Sequence, residues 1–97
     1  MSHNMREPTG LDEPVIRPSA RKHGISDERI CHVVRSCPHP LFHPDDSGRV
    51  IFLGPDQHGV PLEVVAFEAD SGELTIIHAM KLRPGYRQTY EEVMRWV

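Results

Sequence analysis

The stretch from Ile76 to Glu92, IIHAMKLRPGYRQTYEE, holds the residues best suited to chemistry on a phosphate. It carries an imidazole at His78 and cations at Lys81, Arg83 and Arg87. Cleavage of RNA needs a group that moves protons and cations that neutralise charge growing on the phosphoryl oxygens, and these types supply both without a metal. His78 is the candidate acid or base, because imidazoles exchange protons near neutral pH. These four are the candidate catalytic residues.

Their spacing predicts a junction between a strand and a helix. The apolar run that ends at Ile77 is typical of a central strand, and a helix opens near Tyr86, after a Pro-Gly turn. His78 then lies at the sheet edge, Lys81 and Arg83 in the connection, and Arg87 in the first turns of the helix. Convergence on one phosphate is feasible. The alternative interpretation is a set of solvated cations, with His78 an ordinary strand histidine.

Two helical segments are predicted before the sheet. Pro18 opens a short turn that runs through Lys22, and Gly24 supplies a left-handed exit. Ser26 is a good N-cap, and apolar residues follow it at the spacing of one buried face, so a helix is expected over about 26 to 36. Pro38 stops this helix.

The second half of the chain predicts strands. Arg49 to Leu53, Leu62 to Phe67 and Glu73 to Ala79 are joined by the turns GPDQHG and ADSG, which makes an antiparallel meander. Prolines around Leu41 to His43 favour an edge strand or an ordered loop there. The expected fold class is α+β: a three- or four-stranded antiparallel sheet with two N-terminal helical segments and a C-terminal helix. The helix after Ser26 is expected to cover one face. One stripe of the C-terminal helix is expected to pack against the sheet, and it consists of Tyr86, Tyr90, Val93, Met94 and Val97.

Composition bounds the remaining possibilities. With 97 residues and 38% hydrophobic content, the chain predicts a single domain over 19–97, preceded by a flexible proline-containing leader over 1–18 in which Val15 and Ile16 act as a small anchor. No run approaches the roughly 20 apolar residues of a membrane span. A domain this small has modest stability, to which a homo-oligomer or a partner would add. The net charge of −3 argues against wholesale electrostatic binding to nucleic acid but allows a local basic patch.

Cysteine usage and histidine spacing argue against a metal centre. Cys31, His32, Cys37, His39 and His43 lie close in sequence, but only His39 and His43 match half of a zinc pattern. A metal-binding protein is therefore an alternative that ranks below the two functions given at the end of this section, and no cofactor is expected. The two cysteines and the lack of a signal-peptide pattern favour a cytoplasmic protein with reduced thiols.

Three motifs together resemble the BrnT-like toxins of bacterial type II toxin–antitoxin pairs. They are KHGIS before the first full helix, EVVAF in a central strand, and IIHAMKLRPGYRQTYEE at the end. The family pattern begins KHG-φ-[ST], where φ is apolar, and ends I-I-S-A-R-K-x-x-x-x-E-R-x-x-Y-E. The likeness covers roughly residues 19 to 92. The matching positions are Lys22, His23, Gly24, Ala79, Lys81, Arg87, Tyr90 and Glu91.

The resemblance implies a RelE-like ribonuclease fold, inhibition of translation, and a cognate antitoxin as protein partner. It adds Lys22, His23 and Tyr90 as candidate substrate-binding residues. Met80 stands where the family has arginine and Tyr86 where it has glutamate. Methionine cannot replace a bidentate phosphate donor, so either His78 and Arg83 compensate or this is a diverged member that binds without cutting.

Two functions from different classes follow. The first is a toxin that acts as a metal-independent endoribonuclease on RNA. The second is a non-catalytic module with a BrnT-like fold that binds a partner protein or RNA without cleavage.

Overall fold

The computed structural model describes residues 14–43 and 48–95. One five-stranded sheet forms its centre, and three helices pack on it. The strands are β1 (Val15–Ile16), β2 (Leu41–Phe42), β3 (Arg49–Pro55), β4 (Pro61–Glu68) and β5 (Leu74–Lys81). Their spatial order is β1-β5-β4-β3-β2. The α+β class is therefore confirmed, as is the antiparallel meander of β3, β4 and β5.

The expected sheet of three or four antiparallel strands is wrong in number and in direction. β2 pairs antiparallel with β3, in agreement with the predicted edge strand, but β1 adds a fifth strand that runs parallel to β5. The backbone N–H of Arg17 extends this pairing by donating to the Ile76 carbonyl at 3.0 Å. A two-residue strand is too short to show a period-two pattern, which is why the sequence did not reveal it. The predicted leader includes β1, and its residues 1–13 lie outside the described residues.

The helices are α1 (Pro18–Arg21), α2 (Asp27–Ser36) and α3 (Arg87–Arg95), and a 3₁₀ turn over Pro84–Tyr86 leads into α3. Gly24 has a φ of 79°, as its predicted left-handed role requires. The Ser26 hydroxyl accepts the Arg29 N–H at 3.3 Å, so the predicted N-cap of α2 is confirmed. The C-terminal helix is also present where it was expected.

The main core lies between α2 and one face of the sheet. Ile30, Val33 and Val34 supply the buried stripe of α2, at the spacing that the sequence predicted. Alternate residues of the strands meet them from the sheet, namely Val50, Phe52, Leu62, Val64, Ala66, Leu74 and Ile76. This is the α2 face. The predicted cover of one face by the helix after Ser26 is confirmed.

The opposite face of the sheet carries α3 and is called the α3 face. Val93 is the buried anchor of this helix, whereas Tyr86, Tyr90 and Met94 are half-buried. These four belong to the stripe that was predicted to pack against the sheet, and the fifth member, Val97, lies outside the described residues. The strands present Ile51, Leu53, Glu63 and Val65 to this face.

A buried carboxylate closes the turn between β3 and β4. Asp56 Oδ1 accepts the N–H groups of His58 and Val60, at 2.8 and 2.9 Å, and its Oδ2 accepts Arg29 Nε at 2.6 Å. Burial alone raises the pKa of this carboxyl, but these hydrogen bonds outweigh burial and lower the pKa to about 2. The Arg29 contact ties α2 to the turn. None of the described helices is long and apolar enough to cross a membrane.

Candidate functional site

A β-bulge in β5 determines which face His78 occupies. Val65 is opposite His78 and Ala66 is opposite Ile76, so Ile77 is an extra residue in this strand. Ile76 and Ala79 both enter the core on the α2 face, although they are three positions apart. Ile77 and His78 consequently both line a cleft on the α3 face. Regular alternation from Ile76 would have pointed His78 into the core.

The first helix holds this bulge in place. The Ser19 hydroxyl of α1 donates to the Ile77 carbonyl at 2.7 Å. His23, just after α1, then brings its ring edge-on to the His78 ring, with 5.7 Å between the centroids and an angle of 74°. The KHG motif is therefore adjacent to His78 in space, although more than fifty residues separate them in sequence.

The fully buried side chain of Glu63, in the middle of the sheet, organises the residues around His78. Its Oε2 lies 3.1 Å from His78 Nε2, and it accepts Arg83 Nε and Nη2 at 2.9 and 2.6 Å. Its Oε1 accepts the Arg83 backbone N–H at 3.0 Å. One carboxylate therefore positions a histidine within β5 and an arginine in the connection to α3.

Glu63 stays ionised despite its burial. Burial raises the pKa of this carboxyl, but the hydrogen bonds from the Arg83 side chain and backbone and from His78 outweigh burial and lower the pKa below its usual range. The same pairing raises the pKa of Arg83. At neutral pH the cluster therefore pairs a negative Glu63 carboxylate with a positive Arg83 guanidinium.

The open cleft beside this cluster has a volume of about 300 Å³. Polar side chains of five residues line it, namely His43, Arg49, His78, Arg83 and Tyr86. Ile51, Val65 and Ile77 form its apolar part. We call this site the basic cleft. Two imidazoles, two guanidinium groups and a phenol are able to bind an anion and to move protons, while the apolar part provides a surface for a flat group.

Five of the seven predicted site residues are not part of this lining, although one of them, His23, lies against the His78 ring. The prediction that Lys81 lies in the connection is wrong, because it is the last residue of β5. It is opposite Leu62, a core residue, and strand alternation places it on the α2 face, away from His78. Arg87 is exposed on α3, and Tyr90, also on α3, is half-buried. Burial raises the pKa of the Tyr90 hydroxyl, although the Arg87 charge opposes this effect. Lys22 is exposed at the end of α1. The structure thus brings together His78, Arg83 and His23.

Four residues of the site were missed by sequence reasoning. Glu63 carried a usable signal, because it is the one charged residue within the apolar run of β4 up to Phe67. Arg49 is the first residue of β3 and His43 follows β2, and nothing in their local sequence connects them to His78. Tyr86 was interpreted as a packing residue of the helix. The pairing of β2, β3 and β4 brings His43, Arg49 and Glu63 to one face of the sheet, and the 3₁₀ turn after β5 brings Tyr86.

Within residues 14–43 and 48–95, no group of three or more His, Cys, Asp and Glu is arranged to hold a metal ion. Cys31 and Cys37 are free thiols, each half-buried, and burial raises the pKa of both. Burial makes these thiols poor nucleophiles at neutral pH.

No protein-family model, curated protein or solved structure matches this chain. The resemblance to BrnT-like toxins therefore depends on the three sequence motifs alone.

Proposed function

We propose that the protein is a toxin of the type II toxin–antitoxin class, acting in the cytoplasm as a metal-independent endoribonuclease. The basic cleft is the observation that carries this proposal, because it combines two imidazoles with two guanidinium groups on one face of the sheet. The sequence resemblance supports the same class.

The reaction proposed for the cleft is an internal transfer of the phosphoryl group. A base removes the proton of a ribose 2′-hydroxyl, the 2′-oxygen bonds to the adjacent phosphorus, and the bond from phosphorus to the 5′-oxygen breaks. An acid donates a proton to the leaving 5′-oxygen. The products are a 2′,3′-cyclic phosphate and a 5′-hydroxyl end. His78 and His43 are the proposed base and acid, in either order.

Glu63 determines how His78 takes part. When His78 Nε2 carries the ring proton and donates a hydrogen bond to Glu63, Nδ1 is the ring nitrogen that can accept a proton from the substrate. Arg83 hydrogen-bonds Glu63 through Nε and Nη2. What it contributes to binding of the phosphate is therefore long-range charge and a hydrogen bond from the remaining Nη1. Arg49 also lines the cleft, and its guanidinium is a second proposed cation for the phosphoryl oxygens.

An exposed aromatic ring beside the cleft fits single-stranded RNA. Phe67 is directly opposite Arg49 in the β3–β4 pairing and is 45% exposed. Bases stack on such rings with little sequence preference, at about 1–3 kcal/mol per base. Phe67 is therefore the proposed stacking platform next to the phosphate contact.

The test is cleavage of messenger RNA by the purified protein in the presence of a chelator, with end-group analysis of the products. His78→Ala is expected to lower the rate about 100-fold or more, the usual contribution of a general acid or base. Arg49→Ala is expected to lower it about tenfold or more. The matched control is Arg35→Ala, which removes a cation from α2, across the sheet, and is expected to cut like the parent.

A second comparison separates the basic cleft from the site first predicted from the sequence. Lys81→Ala combined with Arg87→Ala is expected to have a smaller effect than Arg49→Ala combined with His78→Ala. If the Lys81 and Arg87 pair matters more, the chemistry is outside the basic cleft. If the parent itself cuts no RNA, the endoribonuclease proposal fails.

The non-catalytic alternative has a specific observation in its favour. Arg83 is largely engaged by Glu63, Lys81 lies on the other face, and Met80 replaces the arginine of the resembling family. Few strong phosphate donors are then left. Expression without a partner gene discriminates the two functions: growth arrest supports the toxin, whereas unimpaired growth with retained RNA binding by the cleft supports the module.

The partner proposed from the resemblance is an antitoxin. An acidic segment laid over the basic cleft would block it through charge complementarity and by excluding RNA. Addition of a candidate antitoxin is expected to shield the cleft residues from solvent and to abolish RNA binding.

A further inference from the structure

A second concavity lies on the α2 face of the sheet and has the opposite chemistry to the basic cleft. Its volume is about 410 Å³, within the range of about 300–1,000 Å³ of pockets that enclose ligands. Apolar side chains line it from three strands, namely Phe42, Val50, Phe52 and Leu74. Glu68 and Asp70 also line it. We call it the acidic groove.

Phe42 is the feature that ordinary packing does not explain. Its exposed fraction is 72%, although it pairs with Val50, whose side chain is 4% exposed. Phe42 thus stands open to solvent at the edge of the groove, next to the buried Val50. An aromatic side chain in this position is typical of an interface anchor, because a partner gains a large contact area with few rotatable bonds.

The charges around the groove indicate what kind of partner fits. Glu68 and Asp70 are both exposed carboxylates, and no lysine or arginine among the described residues lines the groove. A groove that combines apolar side chains with two carboxylates is complementary to an apolar anchor flanked by cations.

Two other occupants match less well. Residues 1–13 of this chain hold one arginine against three acidic residues, so their charge has the same sign as the rim. A second copy would need an exposed large hydrophobic residue among cations. Beyond Phe42 itself, the exposed large hydrophobics of the described residues are Val15 and Phe67. Val15 lies between the uncharged Pro14 and Ile16, and Phe67 has Arg49 opposite it but is followed by Glu68, so a second copy would bring a carboxylate to the acidic groove together with the cation.

We infer that the acidic groove is a docking site for a segment of another protein that presents an apolar anchor flanked by lysine or arginine. The groove and the basic cleft are on opposite faces of the sheet. A partner bound in the groove therefore leaves the cleft open, unlike the antitoxin segment proposed above. This inference does not depend on ribonuclease activity.

The probe is a synthetic peptide with a Leu-Phe-Leu anchor flanked by lysines and arginines, compared with the same anchor flanked by glutamates. Binding is measured by fluorescence anisotropy at two salt concentrations and mapped by NMR on the full chain. The basic peptide is expected to shift signals of Phe42, Val50 and Leu74. The acidic peptide is expected to bind at least about tenfold more weakly, with a difference that shrinks in high salt.

Two variants test the anchor and the rim separately. Phe42→Ser is expected to weaken binding about tenfold or more, and its matched control is Phe67→Ser, an exposed phenylalanine on the opposite face, which is expected to bind like the parent. Glu68→Lys combined with Asp70→Lys is expected to reverse the preference between the two peptides. Both phenylalanines are exposed, so far-UV circular dichroism is expected to be unchanged in either variant.

Three results would overturn the inference. Signals could shift mainly around Arg49 and Tyr86, which would place the peptide at the cleft. Phe42→Ser and Phe67→Ser could have equal effects, which would show nonspecific attraction. Sedimentation could reveal a dimer that Phe42→Ser dissociates, which would make a second copy the occupant.

Discussion

Replacement of Glu63 by leucine is the substitution from which the structure predicts the largest consequence outside the apolar core. The Glu63 side chain is fully buried and accepts one hydrogen bond from His78 and three from Arg83. Leucine fills similar space but leaves the Arg83 backbone N–H and His78 Nε2 without this acceptor. Breaking one partner of a buried ion pair typically costs about 3–5 kcal/mol.

Solvent access reduces that cost here. The Arg83 side chain is 54% exposed and that of His78 is 24% exposed, so both regain some hydration when the carboxylate is lost. We therefore expect Glu63→Leu to lower the free energy of unfolding by about 2–4 kcal/mol. For a domain of this size that is a fall in Tm of roughly 10–25 °C.

Urea unfolding followed by circular dichroism measures this change, with the slope against denaturant checked for two-state behaviour. Glu91→Leu is the matched control, since Glu91 is an exposed glutamate on α3, and it is expected to stay within about 0.5 kcal/mol of the parent. Adding Arg83→Ala to Glu63→Leu is expected to cost less than the two single changes together, because the second change removes a group that has already lost its partner. If Glu63→Leu unfolds with the parental midpoint, the carboxylate does not anchor the connection from β5 to α3.

Three further predictions concern the scaffold. The folded-state pKa of Asp56 is about 2, below its ordinary 3.8. The stability that its ionised carboxylate contributes is therefore complete above pH 3.8 and is lost as the pH falls towards 2. Urea midpoints measured at pH 2, 3, 5 and 7 are expected to fall more steeply below pH 4 for the parent than for Asp56→Asn. Val33→Ala, at a fully buried position of α2, is expected to lower the free energy of unfolding by about 1–3 kcal/mol in the same assay. Equal urea midpoints for the parent and this variant would contradict the packing of α2 in the core. Gly24→Ala, at a φ of 79°, is expected to lower the free energy of unfolding by about 1 kcal/mol. Gly85→Ala, where φ is not positive, is expected to lower it less. A larger fall in Tm for Gly85→Ala than for Gly24→Ala would contradict the left-handed turn.

Local patterns in the sequence were sufficient for most of the scaffold. The Ser26 cap and the spacing of Ile30, Val33 and Val34 predicted α2 and its buried face, because helix caps and helical periodicity act within a few residues. Apolar runs between turn residues predicted β3, β4 and β5 for the same reason. β1 was not recognised as a strand, because its two residues acquire strand geometry only by pairing with β5.

The membership of the candidate site was decided by the tertiary structure. The sequence identified His78, Arg83 and His23 as chemically competent residues, and these three do lie together. The bulge at Ile77 turns His78 to the α3 face and leaves Lys81 on the other, and such a change of face depends on the register between two strands. Arg49 and His43 join the cleft through strand pairing, over distances that no local pattern spans. Residue types therefore follow from the sequence, whereas their convergence follows from strand register and the buried carboxylate of Glu63.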